Sequence, residues 1–258
     1  MTSEPAVVHE RRDDVLVLRI DRPAQRNALT SQTLEELAAG LDRADADPQV
    51  RAVVVTGGTR VFASGADIRE LRDTAPIAYL RSRRRALWQR FTDFPKPLVA
   101  AAAGPVLGGG CELALLCDLV VAADSAMFGQ PEIRLGIIPG AGGTQRWGRV
   151  TGRYRAAEVV LLAQPVSAWT AWQWGLVHEV VPRERVVHAG VATAVEMARF
   201  SPAATMVAKS ALRTAEETGL TQGLAHERGG LATLLSTADH TEGTNAFLEK
   251  RSPHFTGE

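Results

Sequence analysis

Two cysteines in 258 residues are too few to staple a fold of this size, so no disulfide framework is expected. Cys111 and Cys117 sit in an apolar, glycine-rich run, and a reducing, cytoplasmic setting is the simplest reading. The chain also lacks an excess of either charge: Lys plus Arg and Asp plus Glu both number 29. No global field therefore selects for nucleic acid or an anionic membrane, and an anionic ligand must be met by a local patch. Low net charge leaves self-association unopposed. No apolar run reaches 18 residues without a charge, and residues 1–10 carry no basic segment leading into an apolar core. Neither a membrane span nor a leader is expected. The six histidines form no His-x-x-x-His or Cys/His metal spacing, so no metal site is expected. Ser64 stands in Ala-Ser-Gly, which is not a nucleophile elbow.

What is present is an ordinary globular balance, 45% apolar and 22% charged, in a chain long enough to bury a large core. Val15 to Ile20 is a β-branched run ending at Asp21-Arg22-Pro23 and reads as a strand. Thr30 or Ser31 can cap a helix reaching about Ala46, with Leu34, Leu37 and Leu41 at helical spacing. Ala52 to Thr56, Leu98 to Ala103 and Leu119 to Ala123 read as buried strands, and the stretch after Gly108-Gly109-Gly110 as a helix. Strands alternating with helices predict an α/β core. After about Ser201 only helical stretches follow, so the expected organisation is a core over residues 1–200 and a helical region over 201–258.

Three segments hold candidate chemistry. They are Phe62-Ala-Ser-Gly-Ala-Asp-Ile68, Gly104-Pro-Val-Leu-Gly-Gly-Gly-Cys-Glu112, and Phe128-Gly-Gln-Pro-Glu-Ile-Arg-Leu-Gly-Ile-Ile-Pro-Gly-Ala-Gly-Gly143. Glycine permits positive φ and close backbone approach. A glycine-rich turn opening a helix presents free N–H groups, suited to a phosphate or a developing oxyanion. Neither glycine run is followed by the Lys-Ser/Thr of a phosphate-binding loop, which disfavours phosphate. A tight structural turn explains Gly-Gly-Gly equally well. Glu112 reads alone as a first-turn helix acid and Glu132 as a solvated loop acid.

Together these segments resemble the signature regions of the enoyl-CoA hydratase/isomerase, or crotonase, family. Asp21-Arg-Pro-Ala-Gln-Arg-Asn-Ala-Leu29 resembles its N-terminal CoA-side turn, Gly142-Gly-Thr-Gln-Arg146 and Gly175-Leu-Val177 follow in order, and Phe247-Leu-Glu-Lys-Arg-Ser-Pro-His-Phe255 resembles its C-terminal segment. The resemblance covers nearly the whole chain. It implies a spiral of β-β-α units and a C-terminal helical trimerisation region, giving homotrimers or hexamers. It implies an acyl-CoA substrate, with the thioester carbonyl held between the amides of Ala66 and Gly109. It assigns water activation chiefly to Glu112 and α-proton delivery chiefly to Glu132, with the Gly140 backbone helping to place water and Glu132. It implies that Asp67, Ile68 and Arg69 lie along CoA, with Arg26 on the CoA side, and that Phe247 and Lys250 reach the adenine end from a neighbouring subunit. The implied reaction is reversible hydration of trans-2-enoyl-CoA, with no metal or redox cofactor. Isomerisation or decarboxylation at the same oxyanion site, or a non-catalytic binding subunit, are the rival expectations.

Two features depart from the resemblance or stand outside it. Arg81 and Arg83-Arg84-Arg85 read either as a solvated helix face or as a patch that steers an anionic CoA. Trp169, Trp172 and Trp174 crowd one predicted helix without forming one narrow stripe, so core, pocket and partner-facing roles all stay open.

Overall fold

The computed structural model describes residues 5–72 and 74–258. Residues 1–4, part of the stretch read as lacking a leader, lie outside the described residues. The chain runs β1 (Val7–Arg12), β2 (Val15–Ile20), α1 (Ser31–Ala46), β3 (Ala52–Thr56), α2 (Ile68–Arg72), α3 (Pro76–Arg81), α4 (Arg83–Asp93), β4 (Leu98–Ala102), β5 (Pro105–Leu107) and α5 (Gly109–Leu115). It continues through β6 (Leu119–Ala123), β7 (Met127–Gly129), α6 (Gly143–Thr151), α7 (Arg153–Leu161), β8 (Val166–Ser167), α8 (Ala168–Gln173) and β9 (Glu179–Val181). The helices α9 (Val186–Ala198), α10 (Pro202–Glu217), α11 (Leu220–Leu234) and α12 (Ala238–Glu249) close it.

The larger sheet has the order β1-β2-β3-β4-β6-β9. The β1–β2 pair is antiparallel and the remaining pairs are parallel. Every residue of β3 and β4 is buried, as strands covered on both faces must be. On one face lie Leu34, Leu37 and Leu41 of α1, packed with Leu18, Val53 and Val55. Thr30 caps this helix, its side chain accepting the Thr33 N–H at 3.1 Å. The other face is covered by α9, whose Val186, Ala194 and Ala198 pack on Val15, Val54 and Ala101.

A smaller sheet of order β5-β7-β8 stands beside it. The chain enters it from the larger sheet twice, β4 into β5 and β6 into β7. Ala63, just after β3, bridges Val106 of β5 and begins a third such corner. These repeated turns are the β-β-α spiral that the family resemblance implies. Strand β1 escaped the sequence reading because only its first residue is buried, so the period-two signal is weak.

No strand follows β9 among the described residues. Helix α10 is tied to the core through Lys209, whose ammonium pairs with Asp118 at 2.7 Å and donates to the Lys96 carbonyl at 2.8 Å. Asp118 in turn accepts the Leu98 N–H at 2.7 Å, so the α10 anchor sits at the start of β4. No helix among the described residues is long and apolar enough to cross a membrane.

Helix α9 depends on Gly190 for its close approach. A Cβ there would lie 2.7 Å from the Cβ of Ala101 in β4. Helix propensity favours replacing a mid-helix glycine by about 1 kcal/mol at most, whereas overpacking a filled core costs about 1–3 kcal/mol. Gly190→Val should therefore lower the free energy of unfolding by about 1–3 kcal/mol in urea titration; a stability equal to the parent's would mean that α9 is free to shift away from the sheet.

Candidate active site

The site is a corner where three chain passages meet. Gly108 has φ +53° and turns β5 into α5. Gly65, with φ +111°, makes the matching turn after the β3 corner. A Cβ at Gly65 would lie 3.2 Å from the Leu107 carbonyl oxygen and 3.8 Å from the Gly109 nitrogen. A Cβ at Gly109 would lie 3.5 Å from the Ala66 nitrogen. The amides of Ala66 and Gly109 are thus neighbours, and neither donates a hydrogen bond among the described residues. Gly109 is the first residue of α5, where the helix leaves its N–H groups unpaired. Leu29 holds the Ala66 side, its N–H donating to the Gly65 carbonyl at 2.8 Å and its carbonyl accepting the Asp67 N–H at 3.2 Å.

Glu112 stands one turn into α5 and is 4% exposed. One of its oxygens accepts the N–H groups of Ala141 at 2.6 Å and Gly143 at 2.8 Å. Burial raises its pKa; the Gly143 and Ala141 donors, then the charges of Arg146 and Arg84, oppose the rise. Glu132 lies on a single 3-10 turn, Pro131–Leu135, and is half-buried. Burial, then the negative charge of Glu112, pushes its pKa up to about 7. The Gln130 amide, oriented with its nitrogen toward Glu132, donates to both carboxyl oxygens at 3.1 Å. A Cβ at Gly108 would lie 3.0 Å from a Glu132 oxygen, so this carboxyl sits beside the Gly109 amide. The two acids titrate as a pair. Glu112 has two backbone donors and two nearby guanidinium charges that oppose the upward push of burial, whereas the Glu132 carboxyl is pushed up to about 7. Two carboxyls and two free amides then face one corner.

Other sequence-identified residues are placed unevenly. Arg26 takes a left-handed conformation, φ +50°, and its carbonyl accepts the Ser64 N–H at 3.1 Å, so its backbone supports the Gly65 turn. Asp67 accepts the Arg69 N–H at 3.0 Å, while Ile68 and Arg69 are exposed beside the Ala66 amide. Gly140 is exposed and its N–H makes no hydrogen bond among the described residues; the donors of this turn that reach a carboxylate are Ala141 and Gly143, and they hold Glu112. Phe247 is 82% exposed near the end of α12, with Lys250 at its left-handed cap, and neither touches the corner within this chain. Trp169 and Trp172 are exposed and pack edge to face with centroids 6.3 Å apart. Trp174 packs against the core, with the Arg155 guanidinium 5.3 Å from its ring. Among the described residues, no three His, Cys, Asp or Glu side chains are grouped to hold a metal ion.

The solvated-face reading of the arginine run fails at its centre. Arg83 and Arg85 are exposed, but the Arg84 side chain is only 14% exposed and points inward, donating to the Leu29 carbonyl at 3.0 Å. Sequence reasoning also passed over Gln130, Trp88 and Asn27. Trp88 Cζ2 lies 3.8 Å from the Cβ position of Gly109. Asn27 is 3% exposed and donates to the Val61 carbonyl at 2.7 Å, joining the N-terminal turn to the Phe62 corner. A buried Asn in a loop carries no local signal; its partner is 34 residues away.

The profile of the enoyl-CoA hydratase/isomerase family matches residues 10–258. A 2,3-dehydroadipyl-CoA hydratase of Escherichia coli is 46% identical over 251 residues, 97% of this chain and 98% of that protein. A mitochondrial enoyl-CoA hydratase of Pongo abelii is 38% identical, covering 96% of this chain and 87% of that one. Among solved structures, an enoyl-CoA hydratase subunit from Geobacillus kaustophilus superposes with a TM-score of 0.95 at 38% identity, covering 98% of both chains.

The coupling between the two acids is measurable. The Glu132 carboxyl should titrate near pH 7 in difference infrared spectra of the parent protein. In Glu112→Gln, which keeps an oxygen for the Ala141 and Gly143 donors, it should titrate lower, because a neutral neighbour no longer opposes its ionisation. An unchanged midpoint would show that the two carboxyls do not interact.

Proposed function

The chain belongs to the enoyl-CoA hydratase/isomerase family, and from that premise we propose that it adds water reversibly across the double bond of a trans-2-enoyl-CoA to give a 3-hydroxyacyl-CoA. The observation that carries the proposal is the meeting of Glu112, Glu132 and the free Ala66 and Gly109 amides at one corner. The thioester carbonyl accepts from both amides. Ionised Glu112 takes a proton from a water as its oxygen bonds to C3. The electrons pass through C2 to the thioester, whose oxygen becomes an enolate held by the same two donors. Glu132 then delivers its proton to C2. Preorganised donors stabilise the developing oxyanion more than the neutral carbonyl, which lowers the barrier instead of merely tightening binding. Water is added without oxidation or reduction and CoA is part of the substrate, so the proposed reaction needs no metal or redox cofactor.

Isomerisation and decarboxylation use the same oxyanion site without activating a water. The paired carboxyls, Glu132 pushed up to about 7 beside a Glu112 that accepts two backbone donors, support hydration. One relative's name specifies an acyl group ending in a second carboxylate, so plain and carboxylate-ended chains both belong in the substrate panel. The proposed assembly is a homotrimer or a dimer of trimers formed through the C-terminal helices. Exposed Leu220, Leu231, Leu235, Phe247 and Leu248 on those helices support it, and a neighbouring copy is what would bring Phe247 and Lys250 to CoA. Free Cys111 and Cys117 suit the proposed cytoplasmic setting.

Crotonyl-CoA hydration, followed by loss of the conjugated enoyl-thioester absorbance, tests the reading. Glu112→Gln and Glu132→Gln should each lower kcat by about 10²–10⁴. Gly109→Pro removes one oxyanion donor at a first helical position, where proline is tolerated, and should cost about 10²–10³ or more. Parent activity should fall as pH rises through about 7, because the acid form of Glu132 is lost. An inactive parent across short, medium and long enoyl-CoAs, or unchanged variants, would overturn the proposal.

A further inference from the structure

Arg84 places a largely buried cation beside the site, with more donors than its contacts there use. It lies one helical turn before Trp88, which packs against Gly109. That turn spans about 5.4 Å along α4, a separation matching a short acyl chain running from the thioester. Arg84 and Glu112 feel each other's charge, as do Arg84 and Tyr79. Tyr79, on α3, approaches from the other side: a Cβ at Gly140 would lie 2.5 Å from its hydroxyl oxygen. Arg84 and Tyr79 therefore border the same space, next to the turn that holds Glu112. A cavity of about 190 Å³ lies beside them, lined by Leu71, Thr74, Tyr79, Arg83, Arg84 and Leu87 and, toward α1 and α2, by the acids Glu35 and Glu70.

The guanidinium is not satisfied by its present partners. Arginine carries five N–H donors. One meets the Leu29 carbonyl at 3.0 Å and one meets Glu70 at 3.3 Å. Five less two leaves three without a hydrogen bond among the described residues. Glu70 is engaged elsewhere, accepting from the Ser31 N–H at 3.0 Å and the Ser31 hydroxyl at 2.8 Å. A methyl-ended acyl chain in this space would strip water from the free donors and return nothing. A carboxylate would take two of them in the parallel geometry that arginine offers, with the Tyr79 hydroxyl as a further donor.

We infer that Arg84, assisted by Tyr79, receives a carboxylate at the far end of the acyl chain, so that the preferred substrate is a 2-enoyl-CoA derived from a dicarboxylic acid. The inference rests on the hydration reading for the reaction and adds the substrate class. Arg84 also braces the Leu29 carbonyl beside the oxyanion turn, and the test separates the two roles.

The experiment compares two trans-2-enoyl-CoAs of equal chain length, one ending in a carboxylate and one in a methyl group, with the parent enzyme, Arg84→Gln, Arg84→Lys and Tyr79→Phe. Binding of the corresponding saturated acyl-CoAs is measured by calorimetry in parallel. The parent should favour the carboxylate-ended chain in kcat/KM. Arg84→Gln should shrink that preference by about 10–100-fold, mainly through KM. Arg84→Lys should retain part of it, and Tyr79→Phe should lose a smaller part. Equal losses on both chains in Arg84→Gln would mean that Arg84 only braces Leu29, and a parent that prefers the methyl-ended chain would likewise overturn the inference. Absence of turnover with an intact binding preference would sink the hydration reading alone and leave the carboxylate site standing.

Discussion

Everything at this site depends on how closely two backbones approach at the glycine corner. Gly108 and Gly65 adopt positive φ, and Gly110 presses so tightly on Ala63 that a side chain there would run into its carbonyl. That approach turns the Ala66 and Gly109 amides into neighbours. It also carries α5 inward, so that Glu112, one turn along, emerges in the same space. Side chains at Gly65 or Gly110 would hold the passages apart, and neither a shared oxyanion site nor a nearby carboxyl pair would result. The sheet serves this corner: β3 and β4 are adjacent and parallel, so the segments leaving their ends arrive side by side.

The electrostatic design follows from burial applied unequally. Both acids are pushed toward their neutral forms by loss of water. Glu112 receives two backbone donors and two guanidinium charges in return. Glu132 receives an amide side chain and the repulsion of its ionised neighbour. Two chemically identical side chains therefore stand in unequal electrostatic settings at one corner. The proposed specificity rests on the same principle. A guanidinium brought into the pocket wall with donors unspent favours a ligand group that can use them and penalises one that cannot.

Legibility in the sequence followed the range of the forces involved. Strands β2, β3 and β6 and helix α1 matched the reading residue for residue, because continuous apolar runs and a Thr cap are local statements. Strand β1 was lost because its pairing partner, more than its own pattern, makes it a strand. Glu112 and Glu132 were legible through the motifs around them, but Asn27 and Trp88 were not, since each meets residues distant in sequence, and Gln130 was not, since only the turn of the chain aims its amide at Glu132. The arginine run was misread at one position of three. Rotation of α4 turns Arg84 inward and leaves Arg83 and Arg85 in water, and a run of like residues carries no record of that rotation.

By itself the sequence determined the α/β alternation, the places where only glycine permits the backbone to turn, and the family whose chemistry those turns serve. These are properties of single residues and short spacings, which survive without coordinates. Tertiary structure alone decided which amides are left free, which glutamate receives two backbone donors, and which arginine turns inward. Each of these is set by groups tens of residues apart that share one low-dielectric space, where distance and burial, not residue type, fix the energy.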